Sequence, residues 1–528
     1  MNRKKAAAMA AVSALVLGMT GAARAQNLTM AVGAQVTSLD PHYHALSPNF
    51  AVATMLFDTL TQFDAAAKLE PGLAESWKVV EPTVWEFKLR PGVRFHNGNP
   101  LTADDVAFTI SRVPNVPNSP SSYAIYTRAI ERVEVVDPTT VRFHTRTPYP
   151  LLPNDMSQVA ILDKETHEGA GTDDFNSGKV AIGTGPFRYV NFRSGDRLDL
   201  ERNDAYWGPK PDWAKVNYRI VVNDSARTAG LLAGDVDFID QVPTSDITSL
   251  RRDGRVRLAE KDGLRIIFLA LDHLHKDGSP FIAGNDGKPL NKNPLQDLRV
   301  RRALSMAIDR QAIASRVMEG AAQPAGQFLP KGAFGYVPGL EAPNSDPDAA
   351  RKLLTEAGYP DGFRITLHGP NDRYINDGRI VQAIGQFWTR IGLRTSVDAQ
   401  PWTTFISRAG KQEFSAFLVG WGTSSGEASS PLRSLVATYN RDKGYGTSNR
   451  GRYSNPEMDA KLEAALSEMD DEKREKLLQE ATTIAMQDVG IIPIHIQKNI
   501  WAMRPTLRHD SRADELTRAQ DVHPAAAR

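Results

Sequence analysis

The residues best suited to chemistry in this 528-residue chain gather in one short stretch, FLVGWGTSSGEASSPLR, from Phe417 to Arg433. Four residues that read as a buried strand lead into Trp421. A run of Gly, Ser and Thr follows, holding one acid, Glu427, and closing on Arg433. A large indole at a strand end either caps a core or walls a ligand pocket, since pockets are mostly apolar with a few placed polar groups. Glu427 is either a ligand contact or an acid in a first helical turn, where the helix dipole favours it. The planar fork of Arg433 suits an anionic ligand group; a solvated surface arginine is the alternative. Trp402, in AQPWTTF, is a second indole between strand and helix, placed to line a pocket or to plug a core.

Other chemistries find little support. His42 and His44 form one His-x-His pair, and His273 and His275 another, but neither has acids at the fixed spacing of a metal site. There is no HExxH and no phosphate loop. Asp104-Asp105 and Asp173-Asp174 read as helix starts or exposed loops. Cysteine is absent, which removes thiol catalysis, disulfides and a lipidated cysteine. No catalysis, metal or cofactor is expected, and binding is the function class that remains.

Composition supports a soluble globular chain of two or three domains, 41% hydrophobic with both charge signs interspersed. A net charge of +1 without a basic face argues against nucleic acid. The first 25 residues combine the basic cluster Arg3, Lys4 and Lys5, an apolar run from Ala6 to Met19, and the small-x-small triplet Ala23-Arg24-Ala25. That is the pattern of a cleaved signal peptide, and the run is short for a bilayer span, which needs about 20 apolar residues. Cleavage removes four basic residues and no acid, leaving a net charge of −3. A soluble periplasmic protein is expected.

Strand-like and helix-like segments alternate along the chain, which predicts an α/β fold. TVWEFKLRPGVRF places Trp85, Phe87 and Leu89 at period two, then a Pro91-Gly92 turn and a short second strand. Thr102 with Asp105 starts a helix through a capping-box pattern. Asp346-Pro347 opens another, ended by Gly358, and Asn455-Pro456 a third. Ile380, Ile384, Phe387, Trp388 and Ile391 form one apolar helix stripe. Two long apolar segments, Leu264–Leu274 and Ile491–Met503, are candidate crossings between two lobes. From Arg508 onward a polar, poorly packed tail is expected.

Several blocks, in order, resemble one family. GLAESWKVVEPTVWEFKLRPGVRFHNGNPLTADDVAFTISR, GTGPFRYVNFRSGDRLDLERNDAYWG and LRVRRALSMAIDRQAIASRVMEGAAQPAGQFLP are similar to the large periplasmic solute-binding proteins of dipeptide, oligopeptide and nickel ABC importers (family 5). The resemblance runs from about Asn27 to Leu507. It implies a two-lobed periplasmic-binding-protein fold of the large, three-subdomain type. Lobe I would span 26–265 with an inserted subdomain at about 60–185, lobe II 266–488, a return to lobe I 489–510, and the tail 511–528. A monomer is implied that captures a peptide or peptide-like solute by lobe closure and delivers it to a membrane permease with its ATPase. A non-peptide solute (opine or sugar conjugate, metal chelate) and a sensor partner are the alternatives. The resemblance also implies roles. Trp421 and Trp402 would face the pocket, and Tyr43 and His44, in SLDPHYHAL, would border the cleft unless they only pack a loop. Peptide binders carry an Asp three residues after the tryptophan, for the ligand ammonium. Ser424 stands there in this chain, so selection for that ammonium is expected to weaken. Two departures at turns, HNGNP and VVEPTVWEF, are expected to be structural, with Asn97-Gly98 and Pro82 forming the turns.

Overall fold

Helix and strand boundaries follow local signals closely. In the computed structural model, which describes residues 27–423 and 425–525, Thr102 and Asp105 form a reciprocal capping box at the start of the Ala103–Arg112 helix. Asp346 accepts from the Ala349 amide at the start of Pro347–Glu356, and Asn455 caps Pro456–Ala465. The helix Asp377–Arg390 buries Ile380, Ile384 and Trp388 fully, while Phe387 is only half-buried. Pro82 and Thr83 make the turn between strands Ala74–Glu81 and Val84–Leu89, and the positive φ of the HNGNP turn falls on Gly98. The second strand expected after Pro91-Gly92 is reduced to one isolated bridge between Arg94 and Pro100. Two turns within about ten residues leave too little extended chain for a ladder.

A 12-stranded mixed sheet forms the spine. At its centre the two predicted crossing segments lie side by side: strands Arg257–Leu271 and Ile491–Met503 pair antiparallel along most of their length. Their outer neighbours change along the way. Near Met503 the partner is Phe238–Ile239, which leads on to Asn27–Val32 and Lys215–Ile220. Near Leu271 the partner is Ala416–Gly422, which leads to Arg364–Pro370. Between these two halves the register shifts from Asp262 to Ile266. Gly263 lies in this bulge, and a Cβ there would come within 2.5 Å of the Gln497 carbonyl oxygen, so the two backbones can approach only because the residue is glycine. The bulge separates the two stretches of the ladder that have different outer neighbours.

A separate four-stranded antiparallel sheet, in the order Ala74–Glu81, Val84–Leu89, Thr140–Thr145, Ile130–Asp137, carries the Ala103–Arg112 helix. Its core residues Phe87 and Phe143 belong to one apolar cluster with Leu432, Met458 and Leu478. The C-terminal segment corrects the expected loose tail. Strands Leu507–His509 and Val522–Pro524 pair, Ala519 and Val522 are buried, and the Trp213 indole donates to the Val522 carbonyl at 2.6 Å. Its charges are internally matched, with Arg512 on Asp514 at 2.6 Å and Arg518 on Asp521 at 2.7 Å. A segment rich in charge is thus packed because each charge has a partner.

The spine also predicts acid sensitivity. His495, on the second crossing strand, is fully buried, and neither ring nitrogen has a hydrogen-bond partner among the described residues. Burial pulls its pKa down to about 3, below the ordinary value of about 6.5. The folded chain therefore holds this imidazole neutral, while the unfolded chain takes up a proton below about pH 6.5. The stabilising contribution is complete above that pH and is lost as pH falls toward 3. We expect the urea midpoint to drop between about pH 7 and pH 5, and His495→Phe to remove its share of that slope, other shares coming from His42, His96, His273, His368 and His509, which burial also pulls down. An unchanged slope in the variant would show that His495 contributes nothing to it.

Candidate functional site

A cleft of 880 Å³ opens where the sheet changes partners, and a smaller cavity of 70 Å³ adjoins it through shared walls at Arg373, Gln497 and Glu515. One wall comes from the turn after Asn27–Val32 and from Asp240 and Gln241; the facing wall is the segment 371–379. Arg265 and Gln497, one from each crossing strand, form the floor. Across the gap the Asn376 amide donates to the Thr244 hydroxyl at 2.7 Å.

The 371–379 loop is built by its own acids. Asp377 accepts from the backbone amides of Arg373 and Tyr374, both at 2.9 Å, and Asp372 accepts from the Trp402 amide at 2.7 Å. These bonds fix the loop so that the Arg373 guanidinium lies 5.3 Å from the Tyr374 ring centre and 5.5 Å from that of Trp402. Stacking on aromatic faces suits a guanidinium. No carboxylate pairs with Arg373 among the described residues. Burial, and then the nearby Arg265, push its pKa below the usual arginine range. A cation held under that penalty favours an incoming anion.

Arg265 is matched differently. Its guanidinium is engaged by the Glu515 carboxylate through two bonds, one of them 2.8 Å from Nε. Burial opposes the charge on Arg265, but Glu515 more than offsets it and holds the pKa above its ordinary value. On the other wall, Asp240 accepts from the Gly33 amide at 2.8 Å, and burial raises its pKa to about 6 despite Arg227 nearby.

Among the described residues, the sequence-derived candidates stand outside the lining of this cleft. Trp402 supplies the ring beside Arg373 and is half-buried. Trp421 pairs with Ile266, one ladder step from Arg265, and its indole donates to Ser430 at 3.2 Å. Ser424 lies outside the described residues, as does the N-terminal segment 1–25. Glu427 is buried and bonded to Arg474 at 2.6 Å, so its carboxylate is engaged within the protein. Arg433 reaches the Tyr149 hydroxyl at 3.2 Å, next to Asp155, and is not a solvated surface residue. Tyr43 lies in a turn and His44 in an isolated bridge with Ser121. The Tyr43 carbonyl accepts from Ser119 at 2.5 Å, and the His44 ring meets Thr37 at 3.1 Å. None of Trp402, Trp421, Tyr43, His44, Glu427 and Arg433 is among the residues lining the two cavities, and Trp402 approaches the cleft through Arg373.

His42 is buried and bonded to the Ala160 carbonyl at 2.8 Å, and His273 is half-buried. Among the described residues no group of three or more His, Cys, Asp or Glu side chains converges on a metal-sized site. Sequence reasoning passed over Arg265, Arg373 and Glu515. For Arg373 a signal exists in the polar, aromatic loop PNDRYIND between a strand and an amphipathic helix.

Known proteins share this architecture. The family description "Bacterial extracellular solute-binding proteins, family 5 Middle" matches residues 68–443. The heme-binding protein A of Haemophilus influenzae is 28% identical, over 84% of this chain and 82% of its own. Di/tripeptide-binding protein 1 of Pseudomonas aeruginosa is 29% identical, over 92% of each. The periplasmic binding protein DppA of Helicobacter pylori, solved with the peptide STSA, superposes with a TM-score of 0.76 at 22% identity. That match covers 94% of this chain and 98% of the other. At that identity the likeness carries the fold alone.

Proposed function

Since the chain belongs to the bacterial extracellular solute-binding proteins, family 5, we propose that it is the periplasmic substrate-binding component of an ABC importer. It captures a peptide or peptide-like solute with a free carboxylate. The observation that carries this reading is the Arg373 guanidinium in the cleft, stacked beside Tyr374 and Trp402 and lacking a carboxylate partner among the described residues. A solute carboxylate supplies the missing counter-charge through a charge-assisted, bidentate contact. Lobe I then comprises 26–265 with its insertion at about 60–185, lobe II 266–488, and 489–510 the return. The packed segment after 510 belongs with lobe I. Capture proceeds by closing the lobes over the cleft about the bulge at Gly263, and the closed monomer docks on the permease and its ATPase. The reading needs no bond making or breaking in the solute. Among the described residues no helix is long and apolar enough to cross a membrane.

Calorimetric titration of the protein, first unfolded and refolded to strip retained solute, tests this directly with di- and tripeptides and their C-terminal amides. Binding of a free-carboxylate peptide at least about tenfold tighter than its amide is expected, the loss of one charge-assisted contact being about 1.5–3 kcal/mol. Equal affinity for acid and amide overturns the assignment of Arg373.

A further inference from the structure

The missing acid at position 424 leaves open how a zwitterionic solute would be met. The fold places a carboxylate in the cleft from an unexpected direction, the C-terminal segment. Glu515 lines both the main cleft and the adjoining cavity. Its backbone has φ +63°, a conformation unfavourable for a residue other than glycine, and the packed flanks hold it there. Ala513 on one side donates to the Ala65 carbonyl at 2.9 Å, and Thr517 on the other accepts from the Trp501 indole, also at 2.9 Å.

The side chain engages Arg265, 250 positions earlier, and retains 23% exposure. Burial opposes its charge, but Arg265, then Arg373, and the Ser47 hydroxyl together hold the carboxyl ionised. The cleft lining holds three guanidiniums, Arg265, Arg373 and Arg379, and four carboxylates, Asp224, Asp372, Asp377 and Glu515; Asp224 is taken by Arg227, Asp372 and Asp377 by backbone amides, and Arg379 reaches Glu319 at 3.8 Å. Arg265 and Glu515 neutralise each other, which leaves one acceptor of negative charge, Arg373. Bidentate pairing and the Ser47 contact do not exhaust the acceptor capacity of a carboxylate, which offers about four lone-pair sites.

We infer that Glu515 is a specificity-determining residue that accepts the solute's ammonium group while Arg373 takes its carboxylate. The inference deepens the peptide-like reading above and rests on it. It relocates ammonium recognition from the loop after Trp421 to the C-terminal segment. It also selects against solutes with a second anionic group near the first, because Glu515 already occupies Arg265.

The test compares Ala-Ala, N-acetyl-Ala-Ala and Ala-Ala amide by calorimetry. The wild type is expected to prefer Ala-Ala over the acetylated form by about tenfold or more. Glu515→Gln should bring that ratio near one while the preference for acid over amide, set by Arg373, persists. Glu515→Asp should keep most of the ratio. Arg265→Lys keeps a cation beside Glu515, so the carboxylate stays ionised, but gives up the two-bond fork and should raise the ratio; it serves if the Gln variant at 515 fails to fold. A wild type that binds Ala-Ala and its acetylated form equally overturns the inference and leaves the peptide reading standing, as does an unchanged ratio in folded Glu515→Gln. A wild type that binds none of the three peptides overturns the peptide reading and the inference together.

Discussion

Replacing Arg373 by glutamine is expected to lower the affinity for a free-carboxylate peptide by about 10- to 150-fold, the equivalent of one charge-assisted contact of about 1.5–3 kcal/mol. The expected stability change is small and of opposite sign. Arg373 has no carboxylate partner among the described residues, and burial already opposes its charge, so removing the charge relieves a cost in the empty protein. Arg373→Lys keeps the charge but loses the planar fork and the fit to the Tyr374 and Trp402 rings, and should fall between wild type and glutamine. Calorimetric affinity and the urea midpoint separate the two effects. Affinity unchanged in the glutamine variant, with the fold intact, removes Arg373 from the binding site.

The second large effect concerns stability. Glu427 and Arg474 form an ion pair at 2.6 Å whose side chains are only 4% and 9% exposed, and the Arg474 guanidinium also lies 4.3 Å from the Phe334 ring centre. Arg474 also reaches Asp471 at 3.1 Å, but that carboxylate is 78% exposed, so removing Glu427 leaves the guanidinium matched only at its solvent edge, a loss toward the lower end of about 3–5 kcal/mol. Glu427→Ala is therefore expected to lower unfolding free energy by about that amount. The double replacement Glu427→Leu, Arg474→Met should lose much less, since the desolvation cost of both charges disappears. Denaturant unfolding of both variants decides this. If Glu427→Ala abolishes solute binding and leaves stability unchanged, the carboxylate serves the ligand, contrary to the contact it makes with Arg474.

Much of the framework was legible because its signals are local. Asp346, Asn455 and the Thr102–Asp105 pair announce helix starts within four residues of sequence. The two long apolar runs announced two long strands: Ile491–Met503 forms one with those bounds, while the run expected at Leu264–Leu274 is the second half of Arg257–Leu271. The site was less legible because its contacts are long-range. Arg265 and Glu515 meet across 250 positions, and Arg433 meets Tyr149 across 284. Nothing in the neighbouring residues signals either meeting. The C-terminal segment misled for a related reason. Buried pairs such as Arg512–Asp514 are two residues apart and read as surface charge, although both side chains are only 4% exposed. Glu427 illustrates the same limit, since an acid in a polar loop gives no sign that Arg474, from a helix 47 positions later, covers it.

The central claim is that the solute lies between the lobes with its carboxylate on Arg373. The most direct measurement is a crystal structure of the protein with a bound free-carboxylate dipeptide. The predicted result is ligand density in the cleft bounded by Gly33, Gln497 and the 371–379 loop, with a carboxylate oxygen within hydrogen-bond distance of the Arg373 guanidinium. Density for the same dipeptide elsewhere, such as the separate 590 Å³ cavity beside Tyr206 and Trp207, with Arg373 still facing solvent, would contradict it.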